Sequence, residues 1–251
     1  MKIQRLDSVD ALRGLAMVWM TAFHFSFDLN HFGYIQQNFY SNPFWTVQRT
    51  LIVSLFLFCA GLGQSIAVAQ GQSWSRFWRR WAQIVACALL VTAGSWWMFP
   101  QTFIYFGVLH GMTLMLIVAR LTASWGRWLW LLGGLAIASK FIAASALNTW
   151  AGGQFSIYFN APMLNWIGWI TRLPVTEDYV PVFPWLGVMW WGLAAGNWLM
   201  QSRPEVMRLK LATCLQPSAV LGRWSLSYYM LHQPVMIGLL SALAWLMRSG
   251  A

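Results

Sequence analysis

Charged residues are scarce in this chain of 251 residues. They make up 9% of the sequence, whereas ~25% is usual for a soluble domain. Hydrophobic residues supply 59%, against ~45–50% in globular domains. So few charges cannot cover a water-facing surface, which excludes a soluble enzyme, a secreted disulfide scaffold, a disordered segment and a DNA-binding module. The composition predicts an integral membrane protein in contact with the lipid bilayer.

Cysteines and acidic residues are also few. The three cysteines have no CxxC spacing and two of them lie in apolar runs, so neither a disulfide framework nor a metal site is expected. Six acidic residues stand against sixteen lysines and arginines. In a membrane protein this positive excess orients the chain and contacts anionic headgroups, so we expect no nucleic-acid partner.

Seven segments are apolar, and each approaches the ~20 residues that cross ~30 Å of hydrocarbon. They predict an all-α fold, a polytopic transmembrane helical bundle, formed by a single domain over residues 1–251. A further span or re-entrant piece within residues 148–182 would raise the count to eight. The segments are Ala11–Leu29, Val47–Val68, Trp81–Phe99, Phe103–Arg120, Trp128–Leu147, Phe183–Met200 and Arg223–Met247.

The distribution of positive charge predicts the orientation of the chain. If the amino terminus is cytoplasmic, twelve lysines and arginines lie on the inner side and four on the outer side. Membrane proteins keep positively charged loops inside, so we expect a cytoplasmic amino terminus. The expected location is the bacterial cytoplasmic (inner) membrane. The first segment lacks a small-residue cleavage site and is interpreted as a retained helix.

Ionisable residues inside a span are informative because each costs ~2.5–3.5 kcal/mol or more at the centre of the bilayer. At ~100° per residue, those of the first span fall within a ~60° sector. Such a face suits acid–base chemistry, with Asp28 orienting His24 as a base. The same face could line the path of a transporter. Alternatively, its inner residues form an ion pair and its outer side chains extend to the membrane surface. The residues are Asp10, Arg13, His24, Asp28 and His31.

Two further spans carry histidines. His110 lies in the fourth span, and His232 lies in the last span beside Tyr229 and Gln233. Tyr229 precedes His232 by three residues, close enough to hydrogen-bond it along the helix. A hydrogen bond between helices would explain each histidine alone, whereas histidines on three spans favour a shared site. Asp178, near the outer surface, either binds a polar acceptor or caps the following helix.

Short motifs follow one another along nearly the whole chain: Ser8–Gly14, His24–Leu29, Phe56–Gly61, Phe106–His110, Asp178–Pro181, Pro184–Trp185 and Leu221–Pro234. Their order and spacing resemble the heparan-α-glucosaminide N-acetyltransferase catalytic-domain-like family of transmembrane acyltransferases. Arg13 and His24, with ten residues between them, also resemble the Arg–His pair of the wider group of membrane acyltransferases that modify extracytoplasmic sugars.

The resemblance implies an acyltransferase that moves an acyl group, expected to be acetyl from cytoplasmic acetyl-CoA, to an extracytoplasmic glycan or small-molecule acceptor. It implies a histidine as general base or acyl carrier. That histidine is His24, or else His31, which lies nearer the catalytic histidine of the lysosomal branch. The glucosaminide acceptor of that branch is not carried over. Residues expected to polarise the carbonyl or to position the acceptor are His232, His110, Tyr229, Asp178 and Gln233.

Acetyl-CoA carries several phosphate charges, so within this resemblance it is expected on the basic inner face. The alternative for the arginines at the start of the third span is that they only orient the chain in the membrane. A multi-span transporter and a haem-binding electron carrier with axial histidines are the competing interpretations, and a homodimer is left open. The expected donor-binding residues are Arg13, Arg76, Arg79, Arg80 and Arg223.

Overall fold

The computed structural model describes residues 6–149, 154–207 and 212–249. Within these ranges there is no β-strand, only an isolated bridge between Phe106 and Tyr179. The all-α prediction is confirmed. The α-helices are α1 (Asp7–His31), α2 (Pro43–Ala69), α3 (Trp74–Met98), α4 (Val108–Leu121), α5 (Trp128–Thr149), α6 (Gln154–Asn160), α7 (Val182–Ser202), α8 (Pro204–Met207), α9 (Gln216–Arg223) and α10 (Ser225–Ser249).

Four of these helices, α2, α3, α5 and α10, are long and apolar enough to cross a membrane. The helices α3 and α10 have 25 residues each, which gives ~37 Å of rise and covers ~30 Å of hydrocarbon. The chain is therefore a helical membrane protein. Each of the other three predicted segments also contains a helix, α1, α4 or α7. The count of seven spans and the cytoplasmic amino terminus stay predictions.

The fourth predicted segment begins too early. Helix α4 starts at Val108 and has 14 residues, or ~21 Å of rise, whereas the hydropathy pattern extends back to Phe103. Residues 103–107 are not helical because their carbonyls bond elsewhere. Thr176 donates to the carbonyl of Phe103 (2.8 Å), and the backbone of Val180 donates to the carbonyl of Phe106 (3.1 Å).

Residues 148–182 hold no helix of spanning length in their described part. Helix α6 has seven residues, and a short 3-10 helix follows at Asn165–Ile167. The buried Asn165 organises this stretch: its amide donates to the hydroxyl of Tyr105 (2.7 Å), and its carbonyl accepts from Tyr179 (2.6 Å). Burial raises the pKa of both tyrosines, so Tyr179 keeps the proton that it donates to the backbone carbonyl of Asn165.

The chain divides into two compact units. We call Leu57–Val206 unit one, and Arg5–Phe56 together with Met207–Ala251 unit two. Unit one holds most of α2 and the helices α3 to α7, while unit two holds α1, the start of α2, α9 and α10. The single domain over residues 1–251 stays a prediction.

Close helix packing in unit one depends on glycines of α7. A Cβ atom at Gly192 would lie 2.1 Å from the carbonyl oxygen of Phe58 on α2, and one at Gly61 would lie 2.1 Å from that of Met189. On the other side of α7, a Cβ at Gly187 would lie 2.4 Å from the carbonyl oxygen of Gly133 on α5. Small residues at these positions let three helix backbones approach, as is common between helices in lipid.

Arg120, at the end of α4, is buried by aromatic side chains of the same unit. Its guanidinium lies 5.2 Å from the ring centre of Trp74 and 5.7 Å from that of Phe77, and one nitrogen donates to the carbonyl of Gln72. These cation–π contacts join the end of α4 to the start of α3.

The core of unit two joins α1 to the start of α2. Buried Met17, Met20 and Phe23 of α1 pack with Phe39 and Ile52. A polar bond accompanies this apolar contact, since the indole of Trp19 donates to the side-chain oxygen of Gln48 (3.0 Å). The opposite side of α1 contacts α9 and α10, and that side carries the predicted site.

The glycine contacts of α7 predict a large difference between two similar substitutions. Gly192→Ala should lower the free energy of unfolding by ~1–3 kcal/mol because the new methyl group meets backbone that cannot move aside. Gly94→Ala is the matched control: a Cβ there meets nothing within 4 Å, and alanine favours a helix by up to ~1 kcal/mol. Thermal unfolding in detergent measures both. Equal midpoints for the two variants would contradict the packing described here.

Candidate active site

Helix α1 turns most of its polar side chains away from the surface. Asp10 and Asp28 are buried, at 7% and 3% exposure, and Arg13 and His24 are half-buried. His31, the last residue of the helix, is exposed. The polar face predicted from the sequence therefore exists, but its outermost member lies at the surface.

At the amino-terminal end of α1 the polar face forms ion pairs. Arg13 bonds to Asp10 (3.1 Å), and Arg223 at the end of α9 bonds to Asp7 (2.7 Å) and lies 3.9 Å from Asp10. The Asp10–Arg13 pair expected as an alternative is therefore present. Both predicted donor-binding arginines have carboxylate partners, which reduces the positive charge that they offer to a phosphate. Their role toward acetyl-CoA stays a prediction.

Two glycines bring α1 and α9 together at this end. A Cβ atom at Gly14 would lie 1.8 Å from the carbonyl oxygen of Ser218, and one at Gly222 would lie 1.8 Å from that of Asp10. No side chain fits between backbones at this separation. The glycines of the motifs Ser8–Gly14 and Leu221–Pro234 thus set the approach of α9 to α1, which places Arg223 beside Asp7 and Asp10.

In the middle of α1 a hydroxyl chain joins it to α10. Thr21 donates to the carbonyl of Met17 (2.8 Å) and lies 2.6 Å from the hydroxyl of Tyr228. Because the single proton of Thr21 is used on Met17, Tyr228 must be the donor in the second bond. Tyr228 stacks on His232, with ring centres 5.8 Å apart and planes 9° apart.

Two predicted catalytic histidines meet beside the hydroxyl groups of Thr21 and Tyr228. The rings of His24 on α1 and His232 on α10 lie 5.3 Å apart, edge to face at 80°. His232 is buried, and the ring of Tyr229 packs against it with the ring centres 5.8 Å apart. Pro234 removes the backbone bond to Met230 but does not end α10, which continues to Ser249.

The hydrogen bond of His232 reveals which ring nitrogen carries the proton. Its Nδ1 lies 2.8 Å from the carbonyl oxygen of Tyr229. A carbonyl only accepts, so Nδ1 must be the donor, and in the neutral ring Nε2 then keeps a free lone pair. Among the described residues this Nε2 is buried and has no hydrogen-bond partner. His232 therefore presents an unused basic nitrogen.

Asp28 has a different partner from the one expected. Its Oδ1 accepts from the amide of Gln233 (2.7 Å), and its role in orienting His24 stays a prediction. The two residues belong to facing helices. Gln233 directly follows His232 on α10, and Asp28 lies one helical turn after His24 on α1. Within the described chain, Oδ2 of Asp28 and the side-chain oxygen of Gln233 are buried and unpaired.

His110, in unit one, contrasts with His232 because both of its nitrogens are used. Its Nδ1 accepts from the backbone of Gly107 (3.2 Å), and its Nε2 lies 2.9 Å from the hydroxyl of Thr92. Thr92 donates its own proton to the carbonyl of Ile104 (2.8 Å), so it accepts from Nε2–H of His110. These bonds give His110 a structural role at the start of α4, and its catalytic role stays a prediction.

Asp178 caps a helix, but not the one expected. Its Oδ2 accepts from the backbone of Val108 (2.8 Å), the first residue of α4. Glu177, beside it, accepts from the hydroxyl of Thr102. A carboxylate at a helix amino terminus satisfies a free N–H and complements the helix dipole. The predicted role of Asp178 in substrate binding is not tested by this contact.

The basic residues of α3 lie on its first turns in unit one. Arg76, Arg79 and Arg80 are exposed, and Arg80 donates to Gln83 (3.0 Å). Ser73 caps this helix by accepting from the backbone of Arg76 (3.4 Å). Across the described residues, no group of three or more histidines, cysteines and acids is placed to hold a metal ion.

Sequence reasoning missed Thr21. It precedes His24 by three residues and Asp28 by seven, so it lies on the same helical face. A polar side chain in that register was the available signal, but a threonine inside an apolar run is easily explained by a bond to its own helix, which Thr21 also makes.

These features define an α-helical membrane protein that gathers polar and titratable side chains between α1, α9 and α10. The chain belongs to the family described as heparan-alpha-glucosaminide N-acetyltransferase, catalytic, whose profile matches residues 5–234. It is therefore a membrane acetyltransferase by family, and the resemblance found in the sequence motifs is confirmed. No curated protein and no solved structure matches the chain significantly.

The contact of Asp178 predicts a stability effect that depends on the substituent. Asp178→Ala should lower the free energy of unfolding by ~0.5–2 kcal/mol because α4 loses its cap. Asp178→Asn keeps an acceptor oxygen and should cost less. Thermal unfolding of both variants in detergent measures this order. If Asp178 served only to bind the acceptor, neither variant would shift the unfolding midpoint.

Proposed function

We propose that this protein transfers an acetyl group from cytoplasmic acetyl-CoA to a hydroxyl or amine of an extracytoplasmic acceptor, such as a glycan. The observation that carries this proposal is the contact of His24 with His232 inside a partly buried polar seam. We define the seam as the polar residues shared by α1 and α10: Thr21, His24, Asp28, Tyr228, His232 and Gln233.

The chemistry follows from the needs of acyl transfer. The acceptor oxygen or nitrogen attacks the carbonyl carbon of the thioester, its proton passes to a base, and the bond from carbon to sulfur breaks. The proton then reaches the thiolate, so the products are the acetylated acceptor and free CoA. A pair of imidazoles can supply both required groups, one as the base and the other as a donor to the carbonyl oxygen.

The burial of the seam supports this chemistry. Polar side chains in lipid are costly and are kept where they are paired or functional. Enclosing the reacting groups keeps out water, which would otherwise compete as the acceptor and hydrolyse the thioester. Thr21 and Tyr228 bond to each other and hold the two helices in register at the histidine pair. Asp28 and Gln233 do the same one helical turn further along α1.

Of the two candidate catalytic histidines on α1, the contacts favour His24 as a member of the reacting pair. It is half-buried and its ring meets His232, whereas His31 is exposed at the end of the helix and its ring packs on the neighbouring Phe32. A base must reach the proton that it removes, and the exposed end of α1 offers less protection from water. We therefore place the reaction at the His24–His232 pair.

Binding of acetyl-CoA is assigned to arginines, as expected from the sequence. Guanidinium groups bind phosphate through paired hydrogen bonds. The exposed side chains of Arg76, Arg79 and Arg80 are suited to this because they lie on the first turns of α3, where the helix dipole also favours an anion. We propose the cytoplasmic membrane of a bacterium as the location.

His24→Ala should lower the rate of acetyl transfer by ~10²–10³-fold, because a donor or base at the reacting carbonyl is lost. His31→Ala should retain most of the activity. The assay follows the label of acetyl-CoA into acceptor in proteoliposomes, and thermal unfolding verifies that both variants fold. Full activity of His24→Ala together with loss in His31→Ala would move the site to the end of α1.

Arg79→Gln should raise the KM for acetyl-CoA by ~3–10-fold without changing kcat, as expected when one phosphate contact is lost. Arg172→Gln is the control, because Arg172 is an equally exposed cation on the predicted outer side. Kinetics at low and high salt measure both variants. A similar KM for the two variants would leave Arg79 with a role in topology only.

Transport is the competing function, because a polar seam also suits a solute path. The same proteoliposomes separate the two activities. Uptake of an unmodified solute without acetyl-CoA would favour a transporter, whereas acetylation that requires acetyl-CoA would favour the proposed enzyme. Spectra of the purified protein address the haem interpretation, since a bound haem gives a Soret band.

A further inference from the structure

The buried polar atoms of the seam that lack a partner share one property. Within the described residues they are Nε2 of His232, Oδ2 of Asp28 and the side-chain oxygen of Gln233. Nε2 of His232 carries a lone pair because Nδ1 of the same ring donates to Tyr229. The unpaired atom of Gln233 is its oxygen because its amide nitrogen donates to Asp28. With Asp28 ionised, all three are hydrogen-bond acceptors.

Unpaired acceptors in a buried site carry a free-energy cost that a suitable ligand removes. Leaving a buried polar group unsatisfied is costly, and polar groups that lack partners are expected to bind water or a ligand. A ligand that satisfies three acceptors must bring donors. A thioester or amide carbonyl, which only accepts, is excluded from these atoms by the same rule.

The three atoms lie along one short stretch of the seam. His24, which meets His232, and Asp28, which bonds to Gln233, are four residues apart on α1, or ~6 Å of rise. A ligand with hydroxyl groups spread over a ring of monosaccharide size is long enough to reach both contacts. Asp28 and His232 are buried, while His24 and Gln233 are half-buried, so the latter two are the side chains through which a ligand gains access.

We propose that Asp28, His232 and Gln233 form the subsite for the acceptor and that they bind its hydroxyl groups. This assignment rests on the proposed function and names its substrate class, a polyhydroxylated acceptor. One hydroxyl donates to Nε2 of His232, the others donate to Asp28 and Gln233, and the acyl donor is bound elsewhere. An ammonium group would also donate here, but while protonated it has no lone pair for attack.

The reaction step follows from this arrangement. The oxygen of the bound hydroxyl attacks the thioester carbon as its proton moves to Nε2 of His232. The Nδ1–H bond to Tyr229 stabilises the ring while it carries this second proton. The bond to sulfur breaks, and His232 returns the proton to the thiolate. The products are an acetyl ester and free CoA, and His24 is left as the donor to the carbonyl oxygen.

The first test is the protonation of the histidines, which needs no activity. In protein labelled with ¹⁵N-histidine and reconstituted in nanodiscs, His232 should show a protonated Nδ1 and an unprotonated Nε2. His110 should show the opposite tautomer, because its Nδ1 accepts and its Nε2 donates. Histidine-to-asparagine variants assign the signals of the four histidines. A protonated Nε2 on neutral His232 would overturn the proposal.

The second test is binding in the absence of acetyl-CoA. Methyl α-D-glucopyranoside, the probe, should shift the Nε2 signal of His232 in a saturable manner, and its fully O-methylated ether, which has no donors, should not. Asp28→Asn replaces one acceptor oxygen with a donor and should weaken binding at least ~10-fold. Asp7→Asn, which removes a carboxylate at the other end of α1, should leave binding unchanged.

The two proposals fail in different ways. If the glycoside shifts no signal, or if its O-methylated ether does so equally, the acceptor subsite is wrong even if acetyl-CoA still supports transfer. If the glycoside binds as expected but the protein transfers no acetyl group, the subsite holds and the proposed enzyme is wrong. His232→Asn keeps a donor for Tyr229 but lacks Nε2, so stable protein with full transfer activity would also overturn the subsite.

Discussion

The cost of a polar group in lipid is the constraint on which this structure depends. Helix α1 carries carboxylates, an arginine and histidines, and it is tolerable in a membrane only if another helix covers that face. Helices α9 and α10 provide the cover. Gly14 and Gly222 let the backbones of α1 and α9 approach closely enough for Arg223 to meet Asp7 and Asp10. Within the described residues, Asp28, His232 and Gln233 of the candidate site each keep a buried atom that has no hydrogen-bond partner.

His110 and His232 show how hydrogen bonds decide the use of one residue type. His110 accepts from Gly107 and donates to Thr92, so both of its ring nitrogens are used at the start of α4. His232 donates to Tyr229, and its Nε2 has no hydrogen-bond partner among the described residues. The difference lies in whether the second nitrogen finds a partner, which makes one imidazole structural and leaves the other able to act on a ligand.

Part of the fold and of the site was predictable from the sequence. Long apolar runs predicted helices, and α2, α3, α5 and α10 have the expected length. The spacing of Asp10, Arg13, His24 and Asp28 predicted a common face, because helical periodicity is local. The start of α4 and the cap by Asp178 were missed, since Asp178 and Val108 are 70 residues apart. The bond of Asp28 to Gln233 joins residues 205 apart, so sequence reasoning considered only the nearer His24 as the partner of Asp28.

The sequence by itself determined the membrane environment, the helical class, the family and the residues that share one side of α1. These depend on composition, on local periodicity and on short motifs, all of which are present in the linear chain. Only the tertiary structure decided which helix covers that side, which carboxylate has which partner, and which histidine keeps a free nitrogen. The reason is physical: a hydrogen bond depends on distance and direction in space, and residues far apart in the chain meet only after the helices have packed.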